Sequence, residues 1–213
     1  MKSYAKLGGL YLVVSPILPD KQLLSATEKA LEGGVDILQL SANKETAGLH
    51  VLGTKLSDMA KKHGIPFLVN TSVELAKEVG ADGVHLDDFD VTPIEARRLL
   101  DSEAIVGYTV NIDLEKIKWA EGASADYISF CSLFHKCPGN QCPIVPLTTV
   151  KNVKSATNLA VFAAGGITPE NILSVLEAGV DGVAVTSAIL LAKDPRQTAS
   201  EFKQIISKYG KKR

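Results

Sequence analysis

The segment GVDILQL at residues 34–40 joins a small residue, an aspartate and an apolar run of strand length. The same pattern returns three times, as ADGVHL at 81–86, ADYISF at 125–130 and VDGVAV at 180–185. The aspartates of successive copies are about 45 to 55 residues apart. Because one β/α unit takes roughly 20–25 residues, each interval has room for two units. The four copies therefore predict alternate strands of one parallel sheet.

Four further apolar segments predict the remaining strands, at residues 10–14, 66–70, 104–109 and 159–164. Helical patterns follow the strands at residues 21–32, 45–62, 73–79, 93–100, 113–121, 147–155, 169–178 and 195–209. Three of these helices are predicted to begin with an oxygen-bearing cap and a proline, at Thr92-Pro93, Thr168-Pro169 and Asp194-Pro195. This alternation predicts an α/β fold, a single (β/α)8 TIM barrel spanning residues 1–213, with an atypical cysteine-containing loop at about 131–145.

Composition excludes several classes of protein. The chain has 213 residues, 46% of them hydrophobic, which is enough for a full core without disulfides or structural metals. A formal net charge of −1 gives no general attraction to nucleic acid. The sequence contains no apolar stretch of 18 residues, so no membrane span is expected. We expect a cytoplasmic protein that binds neither nucleic acid nor membrane and that could form a homo-oligomer.

Two glycines and two hydroxyl residues suggest where a phosphate would bind. Gly165-Gly166 follows the seventh predicted strand and Thr186-Ser187 follows the eighth. In TIM barrels these two loops commonly form the phosphate site, because glycine lets backbone N–H groups approach an anion closely. The alternative is that the glycine pair only forms a tight turn. We predict a phosphorylated small-molecule substrate.

Carboxylates and amides follow other strands. The sequence HLDDFD at 85–90 follows strand four, and carboxylates there could hold Mg²⁺ with a diphosphate, or form a solvated turn before the next helix. Gln39 and Asn70 end strands two and three, where their amides could bind a ligand or be satisfied core groups. For His85, within a strand, a structural role is the default interpretation.

All three cysteines lie in one segment after strand six. Cys131, His135, Cys137 and Cys142 could supply soft ligands to a metal or form a thiol site. Their spacing matches no closed zinc or iron–sulfur pattern. The alternative is a loop of reduced cytosolic thiols.

Taken together, residues 10–209 resemble the thiamine-phosphate synthase family and its thiazole-tautomerase relatives. The resembling pieces are LQL at 38–40, PFLVN at 66–70, ADGVHL at 81–86 with Asp90, ADY at 125–127, GGI at 165–167, GVDGV at 179–183 and SAI at 187–189. The set is fairly specific for the superfamily and less specific for one activity within it.

The resemblance implies a transferase that joins hydroxymethylpyrimidine diphosphate to a thiazole phosphate and releases diphosphate with the help of Mg²⁺. Gln39 would face the pyrimidine, Asn70 would touch the diphosphate and Asp90 would hold Mg²⁺. Thr109 would take the place of the small hydroxyl residue after strand five. The thiazole phosphate would be held by Gly165, Gly166, Thr186 and Ser187.

The sequence departs from the family pattern at three places. The family's Gln-x-Arg-x-Lys reads QLSAN at 39–43, its Asn-Asp reads Asn70-Thr71, and its Gly-Pro motif after strand six is replaced by the segment 131–142. The tautomerase branch has a histidine after strand five, where this chain has Asn111. Two alternatives therefore remain: a non-catalytic or tautomerase-like paralogue that binds a thiamine-related phosphate, and a barrel enzyme with a metal or thiol site in the cysteine loop.

Overall fold

The structure, a computed structural model, describes residues 7–41, 48–135 and 144–211. Its strands are β1 (Gly9–Val14), β2 (Ile37–Leu40), β3 (Phe67–Asn70), β4 (Gly83–Leu86), β5 (Ile105–Thr109), β6 (Tyr127–Cys131), β7 (Ala160–Ala164) and β8 (Gly182–Val185). Its helices are α1 (Asp20–Glu32), α2 (Leu49–His63), α3 (Val73–Glu78), α4 (Pro93–Leu99), α5 (Leu114–Gly122), α6 (Leu147–Ala156), α7 (Ile172–Glu177), α8 (Ser187–Leu190) and α9 (Pro195–Gly210).

The strands form a closed parallel barrel in sequence order, with β8 pairing back to β1. The predicted (β/α)8 barrel is confirmed, and the four aspartate-containing copies are β2, β4, β6 and β8. Most strand residues are buried, as expected for parallel strands covered on both faces. The predicted domain bounds and atypical loop stay predictions, because residues 136–143 lie outside the described part of the chain.

Each repeated aspartate holds the start of the preceding strand by two hydrogen bonds to a single residue. The Asp126 N–H donates to the carbonyl oxygen of Val106 at 2.8 Å, and its Oδ2 accepts from the Val106 N–H at 2.7 Å. The same paired contact joins Asp36 to Leu10, Asp82 to Phe67 and Asp181 to Val161. The repeat is therefore a structural clamp at the N-terminal end of the barrel, away from the expected active site.

Cations on the surrounding helices reinforce three of these clamps. Arg97 of α4 donates to Asp126 at 2.7 Å, and Lys154 of α6 donates to Asp181 at 2.5 Å. Lys203 of α9 pairs with Asp36. The clamps therefore also tie helices to the end of the sheet.

Side chains that point into the barrel form a separate core between the strands. This interior cluster consists of Tyr11, Ile37, Leu68, Ile105, Tyr127 and Phe162. Gly107 makes room for it, because a Cβ there would lie 2.1 Å from Cζ of Tyr127. In this close-packed interior the Tyr127 ring fills the space that a side chain at position 107 would need.

One predicted helix start was wrong, and one short helix was missed. Helix α7 begins at Ile172, and its N-cap position is Asn171 instead of Thr168. The Asn171 side chain accepts from the Thr168 N–H and donates to the Gly166 carbonyl, both at 2.9 Å, which holds the intervening residues as a turn. The four-residue helix α8 was not predicted at all.

Within the described residues, no helix has both the length and the apolar character needed to cross a membrane.

Candidate active site

The polar residues at the C-terminal end of the barrel come from alternate positions of neighbouring strands. Side chains alternate in direction along a strand, so every second residue faces the barrel interior, as Tyr11 and Tyr127 do. Nearer the C-terminal mouth of the barrel, these interior-facing positions carry polar residues. In β2 to β6 they are Gln39, Asn70, His85, Thr109 and Ser129. The topology therefore brings residues from five strands to one mouth.

A first chain of hydrogen bonds runs along one side of this mouth. The Tyr11 hydroxyl donates to Gln39 Oε1 at 2.6 Å, and Gln39 Nε2 donates to Asn70 Oδ1 at 3.3 Å. Asn70 Nδ2 then donates to Asp87 Oδ2 at 3.0 Å. Asp87 follows β4 and its side chain is 53% exposed.

A second chain reaches the same carboxylate from the other side. The Tyr127 hydroxyl lies 2.9 Å from His85 Nδ1, and His85 Nε2 lies 2.9 Å from Thr109 Oγ1. Thr109 Oγ1 donates to Asp87 Oδ1 at 2.8 Å. The hydroxyls of Tyr11 and Tyr127 are 3.1 Å apart, so the two chains close into one ring. We call these seven residues the polar ring: Tyr11, Gln39, Asn70, Asp87, Thr109, His85 and Tyr127.

Burial sets the charge states inside the polar ring. Desolvation lowers the pKa of His85, and the nearby Asp87 opposes this shift only in part. Desolvation also raises the pKa of Tyr11 and Tyr127 above that of an ordinary tyrosine. At neutral pH the side chains of His85, Tyr11 and Tyr127 are therefore uncharged.

The predicted catalytic residues Gln39, Asn70 and Thr109 all belong to the polar ring. The Asn70 amide is fully engaged by the protein: its Oδ1 also accepts from Ser41 at 3.2 Å, and its Nδ2 also donates to Thr71 at 2.6 Å. Asn70 thus holds its neighbouring side chains in place at the mouth of the barrel. To contact a diphosphate, its amide would have to give up one of these hydrogen bonds.

The turn after β7 has its carbonyl oxygens directed into the protein. The N–H groups of Leu133 and Phe134 donate to the carbonyls of Ala164 and Gly165, each at 3.0 Å, and Asn171 occupies the Gly166 carbonyl. Gly165 and Gly166 adopt φ angles of 98° and 72°, a region that favours glycine.

The direction of this turn follows from peptide geometry. In a trans peptide the N–H points opposite to the preceding carbonyl. Because the carbonyls of Ala164 and Gly165 point towards the segment after β6, the N–H groups of Gly165 and Gly166 point towards β8. The half-buried Thr186 and the exposed Ser187 follow β8 on that side.

Asp90 is exposed in the loop after β4. The described residues contain no group of three or more His, Cys, Asp or Glu side chains arranged to hold a metal. The carboxylates of this loop are of the oxygen-ligand type that Mg²⁺ takes, and this ion commonly completes its coordination with substrate and water.

Of the predicted soft-ligand set, only Cys131 and His135 lie in the described part of the chain, and Cys137 and Cys142 lie outside it. Cys131 ends β6 and is half-buried, and its backbone N–H donates to Asn111 Oδ1 at 3.3 Å. His135 is exposed, with its Nδ1 3.5 Å from Ser132 Oγ and its ring against Gly166. The structure therefore places His135 beside the predicted phosphate turn.

Sequence reasoning missed Tyr11 and Tyr127, considered Asp87 only among the carboxylates that could hold Mg²⁺, and assigned His85 only a structural role. Both tyrosines lie inside apolar runs, where an aromatic residue is usually part of the core. One signal was present: Tyr127 and Ser129 alternate along β6, and this alternation places a hydroxyl directly below the mouth.

Three comparisons with known proteins agree. A family profile described as thiamine monophosphate synthase matches residues 10–189. The thiamine-phosphate synthase of Clostridium perfringens strain SM101 is 36% identical over 208 residues, which cover 97% of this chain and 99% of that protein. The thiamine-phosphate synthase of Natronomonas pharaonis is 39% identical over 193 residues, covering 88% and 89% of the two chains.

Among solved structures, thiamine phosphate pyrophosphorylase from Pyrococcus furiosus aligns with a TM-score of 0.81 and 28% identity. The alignment covers 94% of this chain and 96% of that one. The match therefore extends over the whole barrel as well as over the sequence motifs. The chain belongs to the thiamine monophosphate synthase family.

Proposed function

We propose that this protein is a thiamine-phosphate synthase, a transferase that joins hydroxymethylpyrimidine diphosphate to a thiazole phosphate. The observation that carries the proposal is that Gln39, Asn70 and Thr109, from three different strands, meet in one polar ring at the mouth of a barrel of this family. The first committed step is cleavage of the bond between the pyrimidine methylene carbon and the diphosphate oxygen. The electron pair leaves with the diphosphate, and the thiazole nitrogen then supplies the pair for the new C–N bond.

The side chains of the ring orient the pyrimidine. Gln39 is held by Tyr11 at its oxygen, so its Nε2 is the end available to a ring acceptor. Thr109 and Asp87 offer oxygen atoms to a ring donor. Oriented groups in a pocket with little water stabilise developing charge more than the same groups in water.

Two backbone features support a phosphate site for the thiazole. The N–H groups of Gly165 and Gly166 are directed towards β8, where the hydroxyls of Thr186 and Ser187 could complete the set of donors. The imidazole of His135, beside Gly166, could add a further donor.

Mg²⁺ would be held by Asp90 together with oxygen atoms of the diphosphate. When bound, it would neutralise the charge that accumulates on the leaving group. The donor set suits a hard cation, since the loop offers carboxylate oxygens. A cytoplasmic location and a homo-oligomeric state stay predictions.

The decisive experiment incubates the purified protein with both phosphorylated precursors and Mg²⁺ and measures released diphosphate. We expect release that depends on both precursors and on Mg²⁺. The Gln39→Ala and Thr109→Val variants should lower kcat/KM, whereas Ile94→Ala, a change on the exposed face of α4, should leave it unchanged. No release above the background without protein would reject the synthase assignment.

A second candidate is a paralogue that binds a thiamine-related phosphate without catalysis. The full engagement of the Asn70 amide by Ser41, Thr71 and its neighbours favours it, because a leaving group would have to displace an existing partner. Calorimetry with thiamine phosphate separates the two candidates. Binding without any diphosphate release supports the non-catalytic paralogue, whereas the absence of both binding and release rejects both candidates.

A further inference from the structure

The hydrogen bonds of the polar ring have a direction that can be worked out by counting protons. The ring contains seven contacts between neighbouring side chains. Each of the hydroxyls of Tyr11, Tyr127 and Thr109 has one proton to give. The two amides give one proton each within the ring, and a neutral imidazole gives one. Six protons therefore serve seven contacts, and one contact must lack a proton.

Distances identify that contact. The Tyr11 and Tyr127 hydroxyl oxygens are 3.1 Å apart, which is long for an O–H···O hydrogen bond. Thr109 gives its proton to Asp87, which can only accept as a carboxylate, so the 2.9 Å contact with His85 needs a proton on His85 Nε2. The other hydroxyl near this nitrogen, Ser129 Oγ, is farther away at 3.5 Å. His85 Nδ1 must then accept from Tyr127. Tyr11 gives its own proton to Gln39, so the contact between the tyrosines is the one without a proton.

We propose that Tyr11, Tyr127 and His85 are positioning residues, which impose a one-way order of hydrogen bonds from the tyrosine pair to Asp87 along both sides of the ring. One side runs through Gln39 and Asn70, and the other runs through His85 and Thr109. The proposal rests on the proposed function only in treating Gln39 and Thr109 as ligand contacts; the order itself is a property of the protein alone.

The order fixes what the mouth presents. Gln39 has its oxygen committed to Tyr11, so it offers an N–H to a ligand. Thr109 has its only proton committed to Asp87, so it offers an oxygen. The three buried residues thus select a ligand edge with an acceptor facing Gln39 and a donor facing Thr109 and Asp87.

The first test is nuclear magnetic resonance of the full-length protein without substrate. Nitrogen-15 signals of His85 should show the neutral tautomer with its proton on Nε2, and Tyr127→Phe should shift the Nδ1 signal by removing its donor. Tyr11→Phe should shift the side-chain amide signals of Gln39. A proton on Nδ1 in the unmodified protein, or Gln39 signals unmoved by Tyr11→Phe, would overturn the proposed order.

Tyr108 provides a matched control. Like the tyrosines of the ring it is fully buried, and its hydroxyl donates to the carbonyl of Val91 at 2.5 Å, away from the ring. Tyr108→Phe removes one hydroxyl and one hydrogen bond, as the other two substitutions do. It should leave the signals of His85 and Gln39 in place.

The second test uses activity. We expect Tyr11→Phe and Tyr127→Phe to lower kcat about tenfold, the equivalent of one hydrogen bond of ~1.4 kcal/mol, with a loss of Tm no larger than that of Tyr108→Phe. Equal loss of kcat in all three variants would mean that the tyrosines act only on stability and would overturn the positioning role. If the unmodified protein releases no diphosphate, the synthase assignment fails, and the resonance test still decides the order of the ring.

Discussion

At Gly107 the barrel interior has no room for a single methyl group, since a Cβ would lie 2.1 Å from the ring of Tyr127. We predict that Gly107→Ala lowers the free energy of unfolding by about 1–3 kcal/mol, the usual cost of overpacking a core. Urea denaturation measures the change. Gly122→Ala is the control, because a Cβ at that position of α5 meets nothing within 4 Å. Equal stability of the two variants would contradict the packing seen around Tyr127.

His85 predicts a pH dependence of stability. Burial lowers its pKa in the folded protein, while Asp87 and the Tyr127 hydroxyl are the titratable groups that face it. Below the ordinary histidine value of about 6.5, the unfolded chain binds a proton that the folded protein excludes, so this part of the stability is lost as the pH falls. The free energies of unfolding at pH 7.5 and 5.5 should therefore differ less in His85→Gln than in the unmodified protein. The control is His50→Gln at an exposed site, which should show the same difference between the two pH values as the unmodified protein. An unchanged difference in His85→Gln would argue against a buried neutral imidazole.

Among individual residues, the sequence predicted those at the strand ends but not the tyrosines deeper in the barrel interior. Gln39, Asn70 and Thr109 could be chosen because barrel strands direct their last residues to the active site. Tyr11 and Tyr127 could not, because the contact between their hydroxyls joins residues 116 positions apart in the chain. Such a contact depends on barrel closure, and no local pattern records it.

Among the elements, the aspartate clamp before β6 offers the clearest test. Asp126→Ala would leave the N–H of Val106 without its acceptor and Arg97 without its carboxylate. We predict a loss of about 1–3 kcal/mol in the free energy of unfolding, and a smaller loss for Asp126→Asn, whose amide oxygen can still accept from Val106. Asp58→Ala on the exposed side of α2 serves as the control. If the alanine and asparagine variants lost equal stability, the hydrogen bond to Val106 would not be the main contribution.

Strand positions were predicted well, because the clamp requires an aspartate just before every second strand and so leaves a repeat in the sequence. Helix starts were predicted less well. Thr92 caps α4 in a capping box with Glu95, as its position before Pro93 indicated. At Thr168 the same signal failed, because the Asn171 side chain binds the Thr168 N–H and delays the helix. Helix α8 is too short for any periodicity to show.

For the molecule as a whole, α9 completes the outer layer beside the junction of β1 and β8. It packs against α1, α7, α8 and β1, and Phe202 is its largest fully buried side chain. We predict that Phe202→Ala lowers the free energy of unfolding by about 3–5 kcal/mol, the usual range for removing a buried phenylalanine ring. Chemical denaturation checks this, with the exposed Ile94→Ala expected to change little. A small effect of Phe202→Ala would contradict the close packing of this ring against the barrel.

Fold and family could both be predicted from the sequence because they depend on patterns repeated along its whole length, which the family profile also matches over residues 10–189. The chemistry of the mouth could not be predicted to the same extent. It depends on how side chains from β1 to β6 share their hydrogen bonds, and the engagement of Asn70 by Ser41 and Thr71 becomes visible only in three dimensions.

The aspartate clamps also divide the molecule into quarters. Each one joins an odd-numbered strand to the even-numbered strand that follows, giving the pairs β1–β2, β3–β4, β5–β6 and β7–β8. Recombination with a relative at junctions inside α2, α4 and α6 would leave every pair intact. The chain can thus be described as four units of two strands each. In every unit one aspartate joins the two strands at the N-terminal end of the barrel.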